Sequence, residues 1–190
     1  MSNQGKSKPA NRVITGKVRL CYAYIFTPKP GDKPTDTPKY STAVLIPKSD
    51  KATLSQIKAA IEAVKNDPKS EKVWGSRFNS EMKSALRDGE VKAEKNPEYA
   101  GHYFFNCSNT RKPGIVDRFK NEITDPSEVY SGCYARVSVD FFAFNKGGGK
   151  GIGVSLNNVQ KWADGEPLSG GSRAEDDFDE LEFDDDDILN

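Results

Sequence analysis

Cys133 to Asn145 alternates strictly between two kinds of residue. Cys133, Ala135, Val137, Val139, Phe141 and Ala143 are small or apolar; Tyr134, Arg136, Ser138, Asp140, Phe142 and Phe144 lie between them. A period of two is the signature of a β-strand with one face turned to a core. The run KGGGKG, from Lys146 to Gly151, follows at once, and Ile152, Val154 and Leu156 then alternate again. The two segments predict a β-hairpin. Asn157 to Trp162 fits either a continued extended segment or a short helix.

Further strands are legible elsewhere. Arg12 to Phe26 predicts one long strand. Ile14, Val18, Leu20, Tyr22, Tyr24 and Phe26 fall on an apolar face, Lys17 and Arg19 fall on the other, and Gly16 marks a bulge. The next twelve residues hold four prolines and a glycine and read as a loop. Lys39 to Pro47 is a second strand, and His102 to Asn106 is another. The turn Arg111-Lys112-Pro113-Gly114 leads into Ile115 and Val116. Ser49 or Asp50 caps a helix whose apolar positions are Leu54, Ile57, Ile61 and Val64, and Asn66-Asp67-Pro68 ends it. Residues 69–99 are polar, anchored by Val73, Trp74, Phe78, Met82 and Leu86, with a short helix expected from about Asn79 to Arg87. About five strands, with helical material inserted between the early and late ones, predict a mainly β domain closed into a small barrel.

Charge is segregated along the chain. The 28 basic and 28 acidic residues cancel, yet ten of the acids lie between Ala174 and Asn190, which hold no Lys or Arg. Residues 1–173 therefore carry 28 basic against 18 acidic groups, a balance of +10. A basic body points to an anionic partner, and a terminal block of like charge points to a disordered interaction tail. The domain reading is a disordered 1–11, a folded 12–167, and a flexible linker and acidic tail over 168–190. The acids of that tail enclose Phe178, Leu181, Phe183, Ile188 and Leu189, with Asp184, Asp185, Asp186 and Asp187 forming an unbroken run. Solubility alone does not call for aromatics, so these residues read as a partner-recognition motif.

Several classes of function fall away. No apolar run approaches the roughly 18 residues of a membrane span, and the first twelve residues lack the apolar core of a secretory signal. Cys21, Cys107 and Cys133 are sparse and far apart, which suits a reducing compartment. One histidine, His102, with three distant cysteines matches no zinc spacing, so no metal or other cofactor is expected. The glycine run lacks the Gly-Lys-Ser/Thr of a phosphate-binding loop, and the carboxylates outside the tail stand singly. The chain is not expected to be an enzyme.

Basic and aromatic residues interleave instead. Single-stranded nucleic acid is held by cations that track phosphates and by aromatic faces on which bases stack, largely without regard to sequence. The phosphate candidates are Lys17, Arg19, Arg111, Lys112 and Arg136. The stacking candidates are Tyr22, Tyr24, Phe26, Tyr103, Phe105, Tyr134, Phe142 and Phe144. Aromatics in strands are more often core, and Tyr22, Tyr24 and Phe26 continue an apolar face, so only a subset of these stacks. Tyr134 and Arg136 oppose a complete apolar face and are expected to be exposed.

The segments NRVITGKVRLCYAYIFTP, YSTAVLIPKSD, YSGCYARVSVDFFAFN and GKGIGVSLNNVQKWADGEPLSGG span most of residues 11–171. In them the chain resembles a family of bacteriophage-encoded single-stranded DNA-binding proteins with an OB-fold and an acidic C-terminal tail. The resemblance implies an OB-type five-stranded barrel that coats and protects single strands in phage DNA replication, recombination or repair. It further implies work in the cytoplasm of the bacterial host, without catalysis. Phage or host replication and recombination proteins would be recruited by the tail; its charge alone, a polyanion attached to a basic body, predicts competition with DNA. The resemblance leaves open a homodimer, and the helical region 49–98 is not expected to bind. Two other readings stand beside it: a phage structural or interaction protein without a nucleic-acid role, and an RNA chaperone of the same fold.

Overall fold

Two long strands form the frame: β7 (Tyr134–Lys146) and β8 (Gly149–Ala163) pair antiparallel along their whole length. Gly147 and Gly148 turn between them with φ of 63° and 78°, the left-handed pair that a tight two-residue hairpin turn requires. This is a computed structural model, and it describes residues 7–168. The acidic tail and its candidates Phe178, Leu181, Phe183, Asp184 to Asp187, Ile188 and Leu189 lie outside the described residues. The segment from Asn157 to Trp162 is extended and belongs to β8.

The remaining strands close a ring. β2 (Val18–Lys29) pairs with β7 and with β3 (Lys39–Pro47); β3 pairs with β5 (His102–Asn109), all antiparallel. β5 then meets β8 in parallel at Ser108 and Ser155. The circuit β7–β2–β3–β5–β8–β7 is a closed OB-type ring of five strands. Short strands add to its margins: β1 (Arg12–Ile14) on β7, β4 (Arg87–Asp88) on β5 and β6 (Gly114–Val116) on β8. Inside lie Val18, Leu20, Val44, Ile46, Phe105, Val137, Val139, Phe141 and Leu156, all at most 1% exposed.

Two helices cover one end of the ring. α1 (Lys51–Asn66) starts where the Asp50 side chain accepts the Thr53 N–H at 3.1 Å, and it buries Leu54, Ile57, Ile61 and Val64 as its spacing predicts. Asp67 closes α1 and at once caps α2 (Pro68–Trp74), a helix the sequence reading did not contain. Pro68 at the first helical position costs no hydrogen bond there. The buried Trp74 donates from Nε1 to the Gly151 carbonyl at 3.0 Å, tying α2 to the hairpin. None of the described helices is long and apolar enough to cross a membrane.

Four local expectations are corrected. The single strand over 12–26 is two, parted at Thr15–Lys17. There Gly16 runs so close to Asp50 and Thr53 that a Cβ would lie 3.0 Å from each, and Ile14 is exposed. The bulge lies further on, at Cys21–Tyr24, where Tyr22 has a φ of 50°. The segment 79–87 is not helical. Where β5 and β8 diverge, their free backbone groups need partners. Lys83 supplies them, donating to the Lys150 carbonyl and accepting from the Ile152 N–H, before β4 pairs with β5. Residues 9–11, expected to lack structure, are held: Asn11 accepts the Phe141 N–H and its side chain donates to the Phe141 carbonyl.

Candidate nucleic-acid interface

The bulge decides which aromatics reach solvent. Leu20 and Cys21 are both buried, on opposite sides of the sheet, and the alternation beyond them is inverted. Tyr22 and Tyr24 are turned out, 52% and 40% exposed, while Ile25 enters the core. Tyr22 donates from its hydroxyl to Asn96 Oδ1 at 2.8 Å, and Lys29 lies 5.7 Å from the centre of the Tyr24 ring. With Ser41, Ala43, Asn106 and Ser108 they line a groove of about 200 Å³ across β2, β3 and β5.

At Asn106 this groove meets a second one of about 480 Å³, over the gap between β5 and β8. Lys83, Arg87, Phe144 and Gly153 line it. Phe142, 44% exposed, lies next to it with its ring over Gly153, and also lines a hollow of about 380 Å³ between β7 and the two helices. A Cβ at Gly153 would lie 2.7 Å from Phe142 Cζ, so the missing side chain leaves the place where the ring lies flat. Among the described residues, Lys29, Lys83 and Arg87 make no ion pair with a carboxylate. The result is one continuous track on the outer face of the ring. Tyrosines stand at one end, phenylalanines at the other, and cations lie along it.

The sequence candidates separate into groups. Tyr22, Tyr24, Phe142 and Phe144 stand on this track. Phe105 does not; it is fully buried, edge-on to Phe141 with ring centres 5.8 Å apart, and offers no face to a base. Phe26 and Tyr103 are half-buried against the main core, attended by Lys112 at 5.7 Å and Lys48 at 5.4 Å. Arg111 and Lys112 are exposed on their turn.

Lys17, Arg19, Tyr134 and Arg136 gather at the opposite end of β7. Lys17 Nζ lies 4.6 Å over the Tyr134 ring, and Arg19 donates to the Gly132 carbonyl at 3.1 Å and the Glu166 carbonyl at 2.8 Å. Tyr134 and Arg136 are both half-buried rather than fully exposed: Lys17 covers the Tyr134 ring, and Arg136 Nε donates to the Thr15 carbonyl at 3.0 Å. Residues missed from the sequence include Lys29, Lys83, Arg87 and Asn106. Lys83 and Arg87 lie within the segment read as a helix apart from the site, and only its pairing with the ring brings them to the groove.

A closed OB ring with an aromatic and basic track over the face of its second and third strands defines the class of fold that receives oligonucleotides and oligosaccharides. The chain belongs to the family of the ssDNA-binding protein of Enterobacter phage Enc34, which matches residues 11–189. It is 32% identical over 176 residues to protein p50 of Acyrthosiphon pisum secondary endosymbiont phage 1, a span of 90% of this chain and 94% of that one. Among solved structures, the single-stranded DNA-binding protein of bacteriophage Enc34 in complex with ssDNA superposes with a TM-score of 0.72 and 25% identity. That match covers 86% of this chain and 97% of the other. The single-stranded DNA-binding protein gp2.5 of bacteriophage T7 shares the fold, with a TM-score of 0.59 and 15% identity over 85% of this chain and 97% of its own.

Proposed function

We propose that this chain binds single-stranded DNA without sequence preference and coats it during phage replication, recombination or repair in the host cytoplasm. Residues 12–167 are the binding domain, and 168–190 are linker and tail. The observation that carries this reading is the continuous track from Tyr22 and Tyr24, past Asn106, to Phe142 and Phe144. It offers faces for bases and, for phosphates, the cations Lys29, Lys83 and Arg87, which make no ion pair among the described residues. Stacking needs no particular base, because every base has a π-face.

The tail acts on the same track. Leu168 donates its N–H to the Ser131 carbonyl at 2.9 Å and packs against the cluster of Cys21, Leu45, Tyr99 and Phe104. The last described residue thus sits beside the tyrosine end of the track. Treated as a random coil, the six residues from 169 to 174 span roughly 12–15 Å, which would hold the ten acids near the millimolar range around the body. The tail then competes with DNA. Bound DNA frees Phe178, Leu181, Phe183, Ile188 and Leu189 to recruit replication or recombination proteins.

The test is titration of labelled oligo-dT and a mixed-sequence oligomer with the full chain and with residues 1–173, at several salt concentrations. Three to five phosphate contacts give a slope of about −2 to −3.5 in log K against log salt. The truncated chain binds more tightly, most of all at low salt, where screening is weakest. A flat salt response, or a preference above about a hundredfold for one sequence, overturns the binding reading. Equal affinities of the two chains at low salt overturn the competition.

A further inference from the structure

The far end of the β7–β8 hairpin carries an aromatic and basic patch of its own. Phe119 is 82% exposed, the highest value of any large hydrophobic among the described residues. It is held there by a tight turn. Asp117 Oδ1 accepts the N–H groups of Phe119 at 2.8 Å and Asn121 at 2.9 Å, and Oδ2 accepts from Asn121 Nδ2 at 3.0 Å. Gln160 Nε2 donates to the Asp117 carbonyl at 3.2 Å, which seats the turn on β8. Lys120 adopts a φ of 70°, a conformation that non-glycine residues seldom take. Beside the turn, Arg118, Arg136, Gln160, Lys161 and Trp162 line a hollow of about 170 Å³, and Trp162 is 38% exposed.

Charge says what fits here. Of the nearby carboxylates, Asp117 is held by its own turn and Glu128 and Asp164 lie against Lys161 at 3.2 and 2.8 Å, while Glu122 is exposed. Among the described residues, Arg118, Lys120 and Arg136 make no ion pair with a carboxylate, so three uncommitted cations stand around two exposed rings. Phe142 lies six residues along β7 from Arg136, about 20 Å at strand rise, and alternation puts both on the same outer face. We propose that Phe119 and Trp162 stack bases, and Arg118, Lys120 and Arg136 hold phosphates, as a second single-stranded DNA station. It continues the strand held by the groove and lengthens the stretch each protein occludes. This rests on the reading of the groove as a single-stranded DNA site.

The two tryptophans make the test direct. Trp74 is fully buried, whereas Trp162 is open to solvent, so base stacking quenches Trp162 emission. The full-length chain is titrated with labelled oligo-dT of about 6 and about 16 nucleotides, following anisotropy and tryptophan emission together. The longer oligomer is expected to quench emission in the native protein and not in Trp162→Phe. Phe119→Ala should weaken its binding about tenfold or more while leaving the affinity for the shorter oligomer and the melting temperature unchanged. Tight binding of the longer oligomer with unquenched emission, and with equal affinity for Phe119→Ala, overturns the second station and leaves the groove standing. Failure of the native protein to bind either oligomer overturns both.

Discussion

Tyr22 turns on a single dihedral angle. Its φ of 50° flips the strand so that Tyr22 and Tyr24, which in sequence continue the phase of the core residues Val18 and Leu20, stand in solvent. A non-glycine residue held there stores about 1–3 kcal/mol of strain, which the paired strands on both sides must maintain. Tyr24→Ala is expected to lose about 1–3 kcal/mol of oligonucleotide binding with little change in melting, because the ring stands in solvent, open to a base, rather than in the core. Titration beside a thermal melt separates the two effects. No count of apolar residues reveals such a flip, which is why the tyrosines read as a continuation of the buried face. Phe105 shows the converse: strand periodicity and aromatic chemistry are the same for a ring in the core and a ring on a groove.

At the same scale, the Arg12 guanidinium, bonded to Asp140 at 2.7 Å, holds that half-buried carboxyl below its usual range. A carboxyl with a depressed folded pKa contributes stability above its unfolded pKa and loses it as pH falls through the folded value. Asp140→Asn should therefore narrow the difference in melting temperature between neutral and acidic buffer, with the loss appearing below about pH 4 in the native chain. A mutant that retains the full native difference removes Asp140 from the acid response.

Among the elements, those governed by local rules were legible. The alternation of β7, the glycine turn and the apolar spacing of α1 each follow from a single stretch of chain. Val137, only 1% exposed in the middle of that alternation, gives the plain test: Val137→Asp buries an unpaired charge and should abolish the cooperative melt. The segment 79–88 was not legible, because its extended form depends on bonds to Lys150, Ile152 and β5 that only the closed ring supplies. The groove depends on the same assembly. Gly153 provides the floor for Phe142, and Gly153→Ala must displace that ring. The far end of a flexible side chain moves cheaply, so the expected outcome is a stability change under about 1 kcal/mol with clearly weaker oligonucleotide binding. Unchanged binding would show that the position of Phe142 over Gly153 is immaterial.

On the scale of the whole molecule, two distributions govern behaviour. The ring sets aromatic and basic residues from β2, β7 and the 83–87 segment along one outer face, with Asn106 of β5 between them. The chain sets a balance of +10 in residues 1–173 against ten acids in the last seventeen. The second is plain from the sequence; the first exists only once the strands have closed. The central claim is that single-stranded DNA lies along that face, from the tyrosines of β2 to the phenylalanines of β7. Ultraviolet crosslinking of oligo-dT to the full chain, with the attached peptides mapped by mass spectrometry, reads this out directly. Crosslinks are predicted at Tyr22 or Tyr24 and at Phe142 or Phe144 in the same preparation. Crosslinks confined to the helices, residues 51–74, with none on β2 or β7, would contradict it.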